Sequence, residues 1–108
     1  MRHDTAFAYE TELTLAQQLE WLNADGRYAW TSRDSHWYGD YQTAQAHDDY
    51  AFFKIFDDAE NGRFVLNLKF VADRPTFEAE LAELIAAAKA HVLPVVGAHD
   101  VTQTEPFD

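Results

Sequence analysis

The sequence predicts an α+β fold in which an antiparallel sheet of about five strands is covered on one face by two amphipathic helices. Three observations support this prediction. Several short segments carry apolar residues at every second position, which is the period of a strand. Two segments carry an apolar stripe at helical spacing, and most connections between strands are short, as in antiparallel sheets. A chain of 108 residues has the size of one domain, so we expect a single domain over residues 1–108.

The first strand and the first helix are predicted near the N-terminus. Residues 5–11 alternate in polarity and predict a strand. Thr14, followed three residues later by Gln17, forms a capping-box pattern that predicts a helix start. Gly26 predicts the end of that helix. The apolar stripe between the two signals consists of Leu15, Leu19 and Leu22.

Two further strands are expected in the middle of the chain. Residues 27–31 and 37–41 each place aromatic side chains on one face of an extended segment. Between them, residues 32–35 are rich in serine and aspartate, which favour turns. We therefore expect a turn at residues 32–35.

The strongest strand pair is predicted at residues 50–56 and 63–71. Asn61 and Gly62 lie between these strands, and this dipeptide favours hairpin turns because both residues tolerate positive φ. The second strand has an apolar stripe made by Phe64, Leu66, Leu68 and Phe70. Its other face, which includes Asn67 and Lys69, is expected to be largely exposed to water.

The orientation of the preceding strand is open at this point. If Phe52 and Phe56 face the helices together with that stripe, Phe53 and Ile55 must face the other way. Two helices on one side cannot cover both faces. The sheet then either curls around a small cavity or leaves an aromatic patch exposed.

A second helix is predicted after residues 73–75, since Pro75 is tolerated in a first helical turn. An apolar stripe runs through this helix, and Pro94 and Gly97 predict its end. Residues 99–105 could add an edge strand that Pro106 would stop. The expected order is therefore β-α-β-β-β-β-α, with a C-terminal edge strand as an addition.

Composition excludes several classes of function. The chain has 19 acidic and 8 basic residues, with a net charge of −11, which opposes binding to nucleic acid or anionic lipid. No segment has the ~20 apolar residues of a membrane span, and the N-terminus lacks the apolar run of a signal peptide. We expect a cytoplasmic protein. The absence of cysteine excludes disulfides, thiolate metal sites and a cysteine nucleophile.

No catalytic, metal or cofactor motif is found. The histidines do not have the spacing of a metal motif. Ser32, Asp34, Ser35 and His36 are sequence neighbours and cannot form a serine–histidine–carboxylate triad, which is assembled from separate elements. The glycines are isolated, so no phosphate-binding loop is present. We expect no catalytic residues, no metal and no cofactor.

Acidic residues bracket one of the apolar strands. They are Asp48, Asp49, Asp57, Asp58 and Glu60. These residues could protect an aromatic strand from aggregation, or they could form a docking surface for a basic protein. The acidity of the whole chain could also reflect the proteome of its source.

Aromatic residues provide the second candidate feature, because they crowd three successive predicted strands. Cross-strand aromatic pairs can stabilise a sheet without any binding function. The alternative is a binding surface at Trp37, Tyr38 and Tyr41, since tryptophan and tyrosine dominate interface hot spots. Gly39, in the same segment, would allow close approach of a backbone.

The leading hypothesis is a non-catalytic module that uses an acidic and aromatic surface to bind a basic protein. A bacterial immunity protein, or an inhibitor of a cationic toxin or nuclease, would have these properties. A small-ligand-binding domain with an aromatic-lined pocket is the first alternative. A homodimer joined through its sheet is the second.

Overall fold

The computed structural model describes residues 3–35, 39–47, 51–70 and 77–106, which form one antiparallel sheet and two helices. The elements are, in chain order, β1 (His3–Glu10), α1 (Leu15–Asp25), β2 (Trp30–Ser35), β3 (Gly39–His47), β4 (Ala51–Asp58), β5 (Arg63–Phe70), α2 (Phe77–His91) and β6 (His99–Thr104). A 3₁₀ turn, Ala59–Asn61, connects β4 to β5. The α+β prediction is confirmed. The sheet has six strands because the C-terminal segment does form β6.

The strands lie side by side in the order β2-β3-β4-β5-β1-β6, and all neighbours are antiparallel. β2 to β5 follow one another as a meander. α1 carries the chain from β1 to the far edge of the sheet, where β2 lies, and α2 leads from β5 to β6, which pairs with β1. Neither helix of the described residues has the length and hydropathy needed to cross a bilayer.

Both helices pack on the same face of the sheet, which we call the helix face. Leu22 of α1 and Leu84 of α2 belong to one buried cluster with strand residues that include Phe53. Phe53 pairs with Leu68 of β5 in the sheet register, and its ring is stacked on that of Trp30 at 6.0 Å. The apolar stripes of the helices and strands thus form a single core.

Two polar side chains connect α1 to this core. The hydroxyl of Tyr9 donates to Oε1 of Gln18 at 2.5 Å, and both residues are buried. Burial raises the pKa of Tyr9, so its hydroxyl keeps its proton and remains a donor. The side-chain amide of Gln42 donates to the carbonyl of Leu15 at the start of the helix. α1 is therefore fixed by hydrogen bonds as well as by apolar contacts.

The predicted ends of α1 are confirmed. Thr14 accepts from the backbone of Gln17, and the side chain of Gln17 accepts from the backbone of Thr14, as a capping box requires. Gly26 ends the helix in the left-handed conformation, with φ of 76°. The predicted start of α2 at residues 73–75 lies outside the described residues.

The turn predicted at residues 32–35 is wrong, because these residues belong to β2. Arg33 pairs with Tyr41 and Asp34 pairs with Asp40 across the ladder with β3. β2 is an edge strand with exposed side chains over much of its length. Polar residues that favour turns are tolerated there, because the ladder rather than side-chain burial defines the strand.

The orientation of β4 differs from the arrangement that would place Phe52 and Phe56 against the helices. Phe53 and Ile55 lie in the core of the helix face, and Phe56 lies on the opposite side, which we call the second face. Because β4 is apolar at positions of both parities, its sequence does not determine which set faces the helices.

The expectation of a largely exposed second face is also wrong. Val65, Asn67 and Lys69 are 1%, 0% and 3% exposed. Val65 forms a small buried cluster with Ala6 and Ala8 of the neighbouring strand β1. The centre of the sheet is therefore buried on both faces, although both helices pack on only one of them.

Candidate functional site

The strand register gathers exposed carboxylates at one end of the sheet. Because all neighbouring strands are antiparallel, β1, β2 and β4 terminate at this end of the sheet, and β3, β5 and β6 begin there. Asp34 pairs with Asp40, and Glu10 pairs with His99. We call the exposed carboxylates at this end the acidic rim; they are Glu10, Glu12, Asp34, Asp40, Asp57, Glu60 and Asp100.

The sequence identified only part of this acidic rim. Asp57 and Glu60, both predicted to bind, are exposed beside the turn between β4 and β5. The other members were missed because they come from strands that are distant in the sequence. An explicit prediction of strand order could have found them, since the pairing of β6 with β1 brings Asp100 to this end.

Asp58 has a different environment from its neighbour Asp57. Its side chain is 7% exposed and lies 2.9 Å from Nε of Arg63. Nδ2 of Asn61 donates to both of its oxygens, at 3.0 Å and 3.2 Å. The carboxylate of Asp58 therefore stabilises the β4–β5 turn, and its acceptor positions are occupied from within the chain.

Asp34 and Asp40 face each other directly across the β2–β3 ladder. Like charges at such positions destabilise a sheet. A hydrogen bond with Asp34, together with the charge of Asp34, raises the pKa of Asp40. The two carboxylates thus interact more favourably when they share a proton. When both are ionised, they concentrate negative charge at this end of the sheet.

His99 lies among three carboxylates of the acidic rim. Its Nδ1 is 2.8 Å from Oδ2 of Asp100, and its Nε2 is 3.7 Å from Oε1 of Glu12. The hydrogen bond with Asp100 is the largest of the effects that raise the pKa of His99. Asp100 itself has a positive φ of 53°, next to an irregularity in the β1–β6 register.

Glu10, His99 and Asp100 are also the described residues with the geometry to hold a metal ion. Their ligand atoms lie within 4.8 Å of one another, and all three residues are exposed. A mixed nitrogen and oxygen donor set of this kind suits divalent metals such as zinc. Sequence spacing did not indicate the group, because Glu10 and His99 come from opposite ends of the chain.

A polar cleft of about 190 Å³ opens beside this group. The carboxylates of Glu10 and Asp100 line it, together with Thr102, Asn61 and Arg63. Arg63 is already paired with Asp58. The cleft has the size and the negative charge to receive one basic side chain of a partner protein.

The predicted aromatic site can be described only at Tyr41. This residue is half-buried, and its ring is stacked on Phe56 at 5.0 Å. Nζ of Lys54 lies 5.3 Å from the centre of the Tyr41 ring. The other predicted binding residues, Trp37, Tyr38, Asp48 and Asp49, lie outside the described residues.

Trp21 is an exposed aromatic residue outside the sites predicted from the sequence. It lies on α1 and is 51% exposed. Its position outside the apolar stripe of the helix is the signal that could have identified it.

No protein-family model matches this chain, and no curated protein matches it.

Proposed function

We propose that this protein is a non-catalytic binding domain whose acidic rim docks onto a basic partner protein. An immunity protein or an inhibitor of a cationic toxin or nuclease would use such a surface. The observation that carries the proposal is the convergence of exposed carboxylates from β1, β2, β3, β4 and β6 at one end of the sheet.

The local energetics of the acidic rim support this proposal. Asp34 and Asp40 are directly opposed, which costs stability in the free protein. A basic partner would supply positive charge next to this pair and relieve the repulsion. Binding energy would thus come from a feature that the isolated domain does not need for folding.

Charge complementarity would also accelerate encounter with such a partner. A surface of one sign can raise association rates well above those of neutral surfaces, and salt reduces the effect. The cleft between Glu10 and Asp100 offers one defined position for an arginine or lysine of the partner. The acidic rim would then determine association rate, and the cleft would determine orientation.

The test compares two charge-reversed variants in affinity capture from native lysate. One replaces Glu12, Asp57 and Glu60 of the acidic rim by lysine. The matched control replaces Glu20, Glu78 and Glu83, which are exposed on the two helices. Both variants change the net charge by the same amount, so they differ only in where the charge is changed.

We expect the unmodified protein and the helix variant to retain the same basic protein in a low-salt wash, and the rim variant to lose it. Retention by the rim variant would contradict the proposal. Loss from both variants would also contradict it, because binding would then depend on total charge rather than on the acidic rim. Circular dichroism of each variant verifies that the fold is intact.

A further inference from the structure

A groove of about 610 Å³ lies between the end of α2 and β6, and no residue of the acidic rim lines it. Its apolar wall is formed by Leu93, Pro94, Ala98 and Val101, and Phe7 of β1 lies beside them. The volume is within the range of about 300–1,000 Å³ that is typical of small-molecule sites. This groove is separate from the aromatic residues of the second face, because Phe7 belongs to the helix face.

Val101 gives the groove an unusual apolar surface. It is 40% exposed, and Trp21 is the only other large hydrophobic residue of the described chain that is exposed. Gln103 lies on the same side of β6, opposite Phe7 in the register. Its Nε2 donates to Oγ1 of Thr5 at 3.1 Å, which positions the amide at the edge of the groove.

Lys89 supplies the charge of the groove. Its Nζ lies 5.4 Å from the centre of the Phe7 ring, and it makes no ion pair with any carboxylate of the described residues. No acidic residue lines the groove. In a chain of net charge −11, an ammonium group that pairs with no carboxylate among the described residues and lies next to an apolar wall is a local site of the opposite sign.

We propose that this groove binds a small amphipathic carboxylate, with the anion next to Lys89 and the hydrocarbon part against the wall that includes Leu93 and Val101. The net charge of the chain repels anions at long range. Binding must therefore come from the local cation and from apolar burial together. This inference concerns a different surface from the acidic rim and does not depend on the proposed function.

Octanoate and octan-1-ol are suitable probes, because they share a chain length and differ in charge. Binding of each is followed by the backbone amide shifts of the protein in two-dimensional NMR. We expect octanoate to shift the amides of Lys89, Val101 and Gln103 and to bind at least about tenfold more tightly than octan-1-ol, a difference of about 1.4 kcal/mol.

Two lysine variants isolate the role of the cation. Lys89→Met removes the charge at the groove, and Lys54→Met is the matched control, since Lys54 lies over the Tyr41 ring on the second face in a similar geometry. We expect K89M to lose most of the preference for octanoate over octan-1-ol and K54M to keep it. Val101→Asn should weaken both probes, because it makes the wall polar.

Four results would overturn the inference. Equal affinity for the two probes in the unmodified protein would mean that Lys89 does not bind the anion, and its charge would then act only on the dipole at the C-terminal end of α2. Shifts that map to residues outside the groove, or the absence of shifts with both probes, would show that the groove is not a ligand site. An equal effect of K89M and K54M would assign the preference to overall charge.

Discussion

The two faces of the sheet are buried by different means. On the helix face, Phe53 and Leu68 pack beneath α1 and α2 in one apolar core. On the second face, the centre is equally inaccessible to water but contains an amide and an ammonium group, those of Asn67 and Lys69. Burial alone therefore does not define a core. Burial of apolar side chains stabilises the helix face, whereas burial of an amide and an ammonium group on the second face has a desolvation cost that hydrogen bonds or charges must offset.

The largest expected difference in stability is between substitutions of two adjacent residues of β4 that lie on opposite faces of the sheet. Phe53→Ala should destabilise the protein by about 3–5 kcal/mol, because it opens a cavity in the apolar core. Phe52→Ala, one residue earlier and half-buried on the second face, should cost about 1 kcal/mol. Urea unfolding of both variants measures the difference. Equal losses would mean that the assignment of faces is incorrect.

A second prediction concerns polar burial on the second face. Asp58→Asn removes the charged acceptor of Arg63 and Asn61 and should cost about 2–3 kcal/mol. The exposed neighbour provides the control, since Asp57→Asn should change stability by less than about 0.5 kcal/mol. If the two variants unfold at the same urea concentration, the ion pair does not stabilise the turn.

The polar connection on the helix face should be weaker. Tyr9→Phe leaves Oε1 of Gln18 without its donor and should cost about 1–2 kcal/mol in chemical unfolding. Tyr28→Phe is a suitable control, because the hydroxyl of Tyr28 makes no hydrogen bond within the described part of the chain. A loss for Y28F as large as that for Y9F would assign the effect to the hydroxyl in general rather than to Gln18.

The smallest effect is expected at the acidic rim, which is exposed. Removing a carboxylate there should stabilise the protein, whereas the preceding substitutions should destabilise it. Because its interaction with Asp34 raises the pKa of Asp40, folding is favoured when Asp40 is protonated. This contribution is present below the ordinary pKa of aspartate and is lost as the pH rises through the raised pKa. Asp40→Asn should therefore increase Tm slightly at pH 7. In strong acid it should not, and calorimetry at both pH values tests this; a decrease at pH 7 would contradict the repulsion.

The sequence correctly predicted the structural features that depend on neighbouring residues. The capping box at Thr14 and Gln17 and the helix end at Gly26 depend only on neighbouring residues, and all are present in the structure. The β4–β5 hairpin was also predicted, although a 3₁₀ turn precedes Gly62. These features are encoded within a few residues, so reading the sequence recovers them.

Features that depend on distant residues were not predictable in the same way. The side of the sheet that Phe53 faces is set by packing against both helices, because β4 is apolar at both parities. The burial of Asn67 follows from its neighbours in the sheet rather than from its own polarity. The acidic rim required the strand order, so only Asp57 and Glu60 among its exposed members were identified in advance.

The position of β1 has a consequence for how the chain folds. β1 lies between β5 and β6, and both of its partners come much later in the sequence. Its ladders can close only after most of the chain has collapsed, so loop-closure entropy must be overcome before these contacts stabilise anything. Pairings between residues so distant in the sequence slow folding relative to a helical bundle, in which most contacts are local. During synthesis on the ribosome, the meander from β2 to β5 is complete before β6 emerges, so β1 can pair with β6 only after that.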